Sequence, residues 1–173
     1  MNSRPLQLEL GIRIFSAALL LFILFYFGYY TYIGMHWGLR EGSAGLLVSD
    51  GILLLLLPAA VLLFFFKAPG WWLLMIGFVY LLLSKVVLVL ANIVLSVAGL
   101  FTGQESQGIG AADVFYILFY AAVLLIFSLP AVRQASGVFI ENKRVSAFWK
   151  IFPFALALYL VYFYVMFQVS FAW

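Results

Sequence analysis

The sequence predicts an all-α integral membrane protein, a bundle of five transmembrane helices with its N-terminus cytoplasmic and its C-terminus outside. Three observations carry that expectation. First, 68% of the 173 residues are apolar and only 9% are charged, against about 25% charged in ordinary soluble domains. Second, the apolar residues fall into five long runs almost free of charge, and a run of about 20 such residues is enough to cross a bilayer. Third, the few cations are distributed unevenly between the connections, which sets the orientation.

The spans cover roughly 12–33, 46–66, 71–101, 111–132 and 148–171, and together they form a single membrane domain over 1–173. Arg4 and Arg13 before the first run resemble the start of a secretory signal. The run is too long for a signal core and Gly28-Tyr29-Tyr30 offers no small-x-small cleavage pattern, so it reads as an uncleaved span. The second run ends at Lys67-Ala68-Pro69-Gly70, read as a tight turn in which Pro-Gly stops the helix. Uniform apolarity at these lengths means helix, because a spanning backbone must satisfy its own hydrogen bonds. The alternation of a membrane β-strand is absent.

Arg4, Arg13, Lys67, Arg133, Lys143, Arg144 and Lys150 all fall on one face if five spans are counted, while the other face holds Arg40 alone. By the positive-inside rule the richer face is cytoplasmic. This pattern implies a bacterial type of inner (plasma) membrane. Trp71, Trp72, Phe148 and Trp149 then fall at the cytoplasmic interface, and Tyr26, Tyr29, Tyr30 and Tyr32 in the outer half of the first span. Both groups read as aromatic belts, with a tyrosine-lined ligand cleft as the alternative for the second.

Lys85 is the single charge inside the 31-residue run from Trp71 to Phe101. A lysine at the centre of a membrane helix costs about 2.5–3.5 kcal/mol unless it finds a partner or water. At 1.5 Å per residue it lies ~21 Å from the cytoplasmic boundary, leaving ~9 Å to the outer surface of a ~30 Å core. Asp50, ~6 Å inside the outer end of the second span, reaches a similar depth. It is the first candidate partner, and Asp113 at the start of the fourth span is the second. Asn92 and Ser96 share a helix face with Lys85 and complete the candidate polar site of Lys85, Asp50, Asn92, Asp113 and Ser96. The site reads either as a structural ion pair or as an outward-opening site in which Lys85 binds an anionic group or couples to protons. Snorkelling of Lys85 to the outer headgroups is a third reading.

Other features are weaker. Glu41, Gly45, Asp50 and Ala59-Ala60-Val61-Leu62-Leu63 are echoed by Glu105, Gly108, Asp113 and Ala121-Ala122-Val123-Leu124-Leu125. That order would suit a parallel repeat of two helices, although such residues recur by chance in membrane helices. Pro58 should kink the second span by leaving the Leu54 carbonyl unpaired, whereas Pro130 and Pro153 sit near helix ends. Gly34, Gly38 and Gly42 read as a glycine-rich outer loop that contains His36. Val138-Phe139-Ile140 is read as a segment that dips into the interface.

Chemistry is constrained mainly by what is missing. There is no cysteine and one histidine, so no metal site, haem ligation or cofactor is expected. No phosphate loop, zinc-protease helix or GxSxG elbow is present. Ser84 beside Lys85 does not read as a dyad, because neighbouring helix positions point about 100° apart. With a net charge of only +3, scattered along the chain, no nucleic-acid partner is expected. No catalytic residue is assigned. The expected function is therefore that of a non-catalytic subunit or accessory of a larger membrane assembly, with protein partners in the bilayer. The alternative is a small transporter or ligand-binding membrane component, with a small-molecule ligand at the site around Lys85.

Overall fold

The computed structural model describes residues 6–36, 50–102, 110–138 and 144–172, with side chains described over 6–36, 50–97, 110–138 and 149–168. Among the described residues the chain is helical and contains no strand. Six helices follow in order: α1 (Leu6–His36), α2 (Ile52–Phe64), α3 (Ala68–Thr102), α4 (Ala111–Ser128), α5 (Pro130–Ala135) and α6 (Arg144–Ala172). Four of them, α1, α3, α4 and α6, are long and apolar enough to cross a membrane. The fifth apolar helix, α2, has 13 residues, or ~20 Å of rise, less than a ~30 Å hydrocarbon core.

Helix α3 is the axis of the bundle, with α2, α4 and α6 packed around it and α1 laid against α2 and α5. The core runs along that axis through Leu56, Leu63, Trp71, Leu74, Phe78, Phe127 and Ile151. Large apolar side chains elsewhere face outward: Phe25 is 74% exposed and Phe154 67%. Such surfaces are unstable in water and natural in lipid, where they need no covering.

The connection from α2 to α3 differs from the turn expected. Helix α2 ends in a Schellman motif, in which the Lys67 N–H donates to the Leu62 carbonyl at 2.8 Å and the Phe66 N–H to that of Leu63 at 2.9 Å. Phe66 takes the left-handed conformation (φ 54°) that glycine usually occupies here. Ala68-Pro69-Gly70 then forms the first turn of α3. Proline is harmless at that position because the first N–H groups of a helix have no intrahelical acceptor. Pro-Gly thus starts a helix rather than stopping one. Gly70 is there for space: a Cβ would lie 2.5 Å from the Leu63 nitrogen and 2.7 Å from the Leu62 carbonyl carbon.

Several boundaries move. Helix α4 stops at Ser128, short of the expected 132, because Leu129 is extended and Pro130 opens α5. Helix α6 begins at Arg144, so Pro153 is interior rather than terminal. Both interior prolines, Pro58 and Pro153, are exposed, so the carbonyls they leave without an N–H are not sealed inside the core. His36 ends α1 instead of sitting in a loop, with Nδ1 3.1 Å from the Tyr32 carbonyl. Gly34 also belongs to α1, whereas Trp37, Gly38, Arg40, Glu41 and Gly42 lie outside the described residues. Val138 is 5% exposed and packs in the core; Phe139 and Ile140 lie outside the described residues.

One end of the bundle gathers the cations. Arg13 lies over the rings of Phe66 (5.1 Å) and Phe64 (5.8 Å), and Arg133 over Trp71 (5.6 Å). Trp71 is not a belt residue; it is 1% exposed and donates from Nε1 to the Phe127 carbonyl at 2.8 Å. Trp149, at 72% exposure, does face outward.

Candidate functional site

At the other end the packing loosens around the polar residues. Lys85 on α3 reaches across to α4, where its Nζ lies 3.2 Å from Oδ1 of Asp113. The two side chains are 28% and 21% exposed, so the pair is shielded but not sealed. The Lys85 ammonium also sits 5.1 Å from the centre of the Tyr116 ring, close enough for a favourable cation–π contact. Asp113 and Tyr116 are three residues apart on α4 and share a face, which is why both meet one lysine.

Asp50, at the entry to α2, accepts a hydrogen bond from the Tyr26 hydroxyl of α1 at 2.9 Å. Next to it, the Gly51 N–H donates to the Tyr162 hydroxyl of α6 at 3.0 Å. That bond satisfies a backbone donor at a helix start that no side chain caps. Tyr162 packs edge-on against Tyr80 of α3, with ring centres 5.8 Å apart. Tyrosines from three helices therefore fix the start of α2 and the direction of its carboxylate.

Asp50 and Lys85 line one cavity of about 300 Å³. Its wall is completed by Tyr26, Tyr80, Tyr116 and Tyr120, with Ser84 alongside Lys85. The sequence offered Asp50 first and Asp113 second as the lysine's partner; Asp113 makes an ion pair with Lys85, and Asp50 shares its cavity. The start of α4 brings the Asp113 carboxylate to the lysine, a relation between distant segments that depth arithmetic on α2 and α3 could not supply. Ser84 and Lys85 also face the same space, contrary to expectation, since the cavity is wide enough to meet about 100° of one helix's circumference. Asn92 and Ser96 are half-buried further along α3 and do not line the cavity.

Of the four tyrosines clustered in α1, Tyr26 turns into the cavity, while Tyr29 and Tyr32 are 61% and 59% exposed. Sequence reasoning missed Tyr80, Tyr116, Tyr120 and Tyr162. A signal existed for two of them, because Asp113, Tyr116 and Tyr120 recur at i, i+3 and i+7 on one helix face. The internal echo has mixed support. Asp50 and Asp113 do reach the same end, but Ala59 and Ala60 are fully buried whereas Ala122 is exposed.

A second, apolar slot of about 430 Å³ lies beside this cavity between α1 and α4. Phe22, Leu53, Leu81, Tyr116 and Tyr120 belong to both walls. Its far end is closed where Phe15 meets Phe127, with ring centres 4.9 Å apart. Its side is open, since Phe22, Phe115 and Phe119 are 56%, 64% and 44% exposed while lining it. Among the described residues no group of three or more His, Cys, Asp or Glu side chains is placed to hold a metal ion.

Comparison of the chain with protein-family models, with curated proteins and with solved structures gives no match.

Proposed function

We propose that this chain is a non-catalytic, ligand-binding component of a membrane, with its working site in the cavity shared by Asp50 and Lys85. One observation carries the reading. A charged pair whose only task is to lock two helices has no need of a cavity; here the lysine, a second carboxylate and four tyrosines surround about 300 Å³ of space. Convergent polar groups around a concave, mostly aromatic wall are the usual form of a ligand site. We take the site as non-catalytic because Lys85, the neighbour of Ser84 on the wall, is engaged by Asp113.

In this reading α2 is the fifth crossing, and the cation-rich end faces the cytoplasm. The N-terminus is then cytoplasmic, the C-terminus is outside, and the cavity opens toward the outer face of a bacterial-type plasma membrane. The support is the convergence of Arg13, Lys67 and Arg133 at the end opposite the carboxylates. The test is native mass spectrometry of the full chain extracted in mild detergent. Wild type should carry a non-covalent small-molecule adduct that Lys85→Met loses while keeping its helical circular dichroism. Absence of any adduct, or identical retention in Lys85→Met, would sink the reading.

A subunit role in a larger assembly is the second reading, favoured by how much of the described chain lies in apolar helices. In the same spectra a stable hetero-complex supports it, and a solitary monodisperse protein counts against it.

A further inference from the structure

The polar cavity and the apolar slot lie side by side with two chemistries, and five residues belong to both walls. We infer that together they hold a single zwitterionic bilayer phospholipid, with one acyl chain in the slot and its phosphate-and-ammonium headgroup at Lys85 and Asp50. This inference rests on the ligand-binding reading and names the ligand's class.

Shape supplies the first support. From Phe15, which closes the slot, to Tyr26, which marks the polar end, α1 advances 11 residues, or ~16 Å. That is about half of a ~30 Å hydrocarbon core, and so about the length of one leaflet's chain. The wall along this length is apolar or aromatic: Phe15, Ala18 and Leu19 on one side and Phe119 on the other. The open side lets a chain enter from the bilayer without passing through water, and the second chain stays outside among the lipids.

Charge complementarity selects the headgroup. The described wall at the polar end carries both signs, with Lys85 on α3 and the Asp50 carboxylate of α2, while Asp113 pairs with the lysine from α4. A phosphate fits beside the ammonium of Lys85, and a headgroup ammonium fits beside Asp50 against the faces of Tyr26 and Tyr120. An anionic lipid without an ammonium would bring its charge to two carboxylates and gain nothing at the rings. Lys85 lies ~9 Å inside the outer surface by its position along α3, so the headgroup is drawn inward of its bulk depth. Only polar contacts at that depth can offset the water it gives up, and this is the end of the slot where they are found.

The experiment uses the full chain reconstituted into vesicles of equal phosphatidylethanolamine and phosphatidylglycerol, re-extracted in mild detergent and read by native mass spectrometry. Wild type should retain one phosphatidylethanolamine, enriched about tenfold over phosphatidylglycerol, which corresponds to ~1.4 kcal/mol of preference. Ala18→Trp fills the slot without touching the charged groups and should lose the lipid while remaining monodisperse and helical. Asp50→Asn should keep a lipid but lose the preference. Equal or greater retention of phosphatidylglycerol by wild type overturns the inference. So does an adduct lost in Lys85→Met but kept in Ala18→Trp, which leaves the ligand site standing with a ligand that is not a lipid. Absence of any adduct from wild type removes both.

Discussion

The two ends of the bundle handle charge in opposite ways. At the end of the α2–α3 turn, Arg13 and Arg133 are laid over Phe64, Phe66 and Trp71; Arg133 is buried there, while Arg13 stays exposed. Gly70 and Gly137 mark how tight this end is. A Cβ at Gly70 would strike backbone, and at Gly137, which takes φ +77°, a Cβ would lie 3.1 Å from the Phe66 carbonyl oxygen. At the other end Lys85 is matched by Asp113, Asp50 by Tyr26, and open space remains between them. Cations at a membrane boundary can be accommodated by aromatic faces and headgroups, so the chain can pack tightly there. Charges deeper in the span need specific partners, and tyrosines line the space that those partners share. The difference teaches that one end is closed by packing, while the proposed ligand site lies at the other, where space is left.

That contrast can be broken most directly at Gly70. Replacing it with leucine should prevent folding or cost more than ~3 kcal/mol, beyond ordinary overpacking, because neither Leu62 nor Leu63 can move its backbone aside. The check is thermal unfolding in detergent, and a stable G70L protein would mean the tight end is not tight. At the open end, Asp113→Asn strands the Lys85 ammonium. Fully buried pairs lose 3–5 kcal/mol in this way; with both groups over a fifth exposed, about 1–2 kcal/mol is expected. The double variant Asp113→Asn with Lys85→Met should recover part of that loss, and additive costs in the cycle would show that the pair is not coupled.

Two smaller effects sharpen the contrast. Trp71→Phe removes the bond to the Phe127 carbonyl and leaves that acceptor buried; about 1–2 kcal/mol of stability should go, with no change in the adduct seen by native mass spectrometry. Tyr26→Phe at the open end should do the reverse. Its loss of stability should be at most about 1 kcal/mol, but it frees the Asp50 carboxylate from one partner and should change which adduct is retained. If Trp71→Phe alters the adduct and Tyr26→Phe does not, the division of labour between the two ends is wrong.

Fold class and lipid surroundings were legible in composition and run length, because bilayer thickness acts on each segment separately and leaves its mark in local sequence. The candidate polar residues were legible too, since a lysine in an uncharged run stands out against its neighbours. Their pairing was not. Depth arithmetic can say that Asp50 and Lys85 lie at similar heights, but it cannot say which way around α3 each neighbour packs. The helix starts misled for a related reason: Pro69-Gly70 carries the composition of a stop, and only the close approach of Leu62 and Leu63 shows why glycine is needed there.

What the sequence by itself determined is a set of apolar helices, an uneven distribution of cations and a short roster of charges that could not all face lipid. These follow from the cost of exposing backbone or charge to hydrocarbon, a cost paid residue by residue. The tertiary structure alone decided that Lys85 meets Asp113, that Tyr26 holds Asp50, and that α1 and α4 part to leave a slot beside them. Those outcomes depend on the rotation and separation of helices far apart in the chain, and van der Waals packing between helices fixes both only once all of them are assembled.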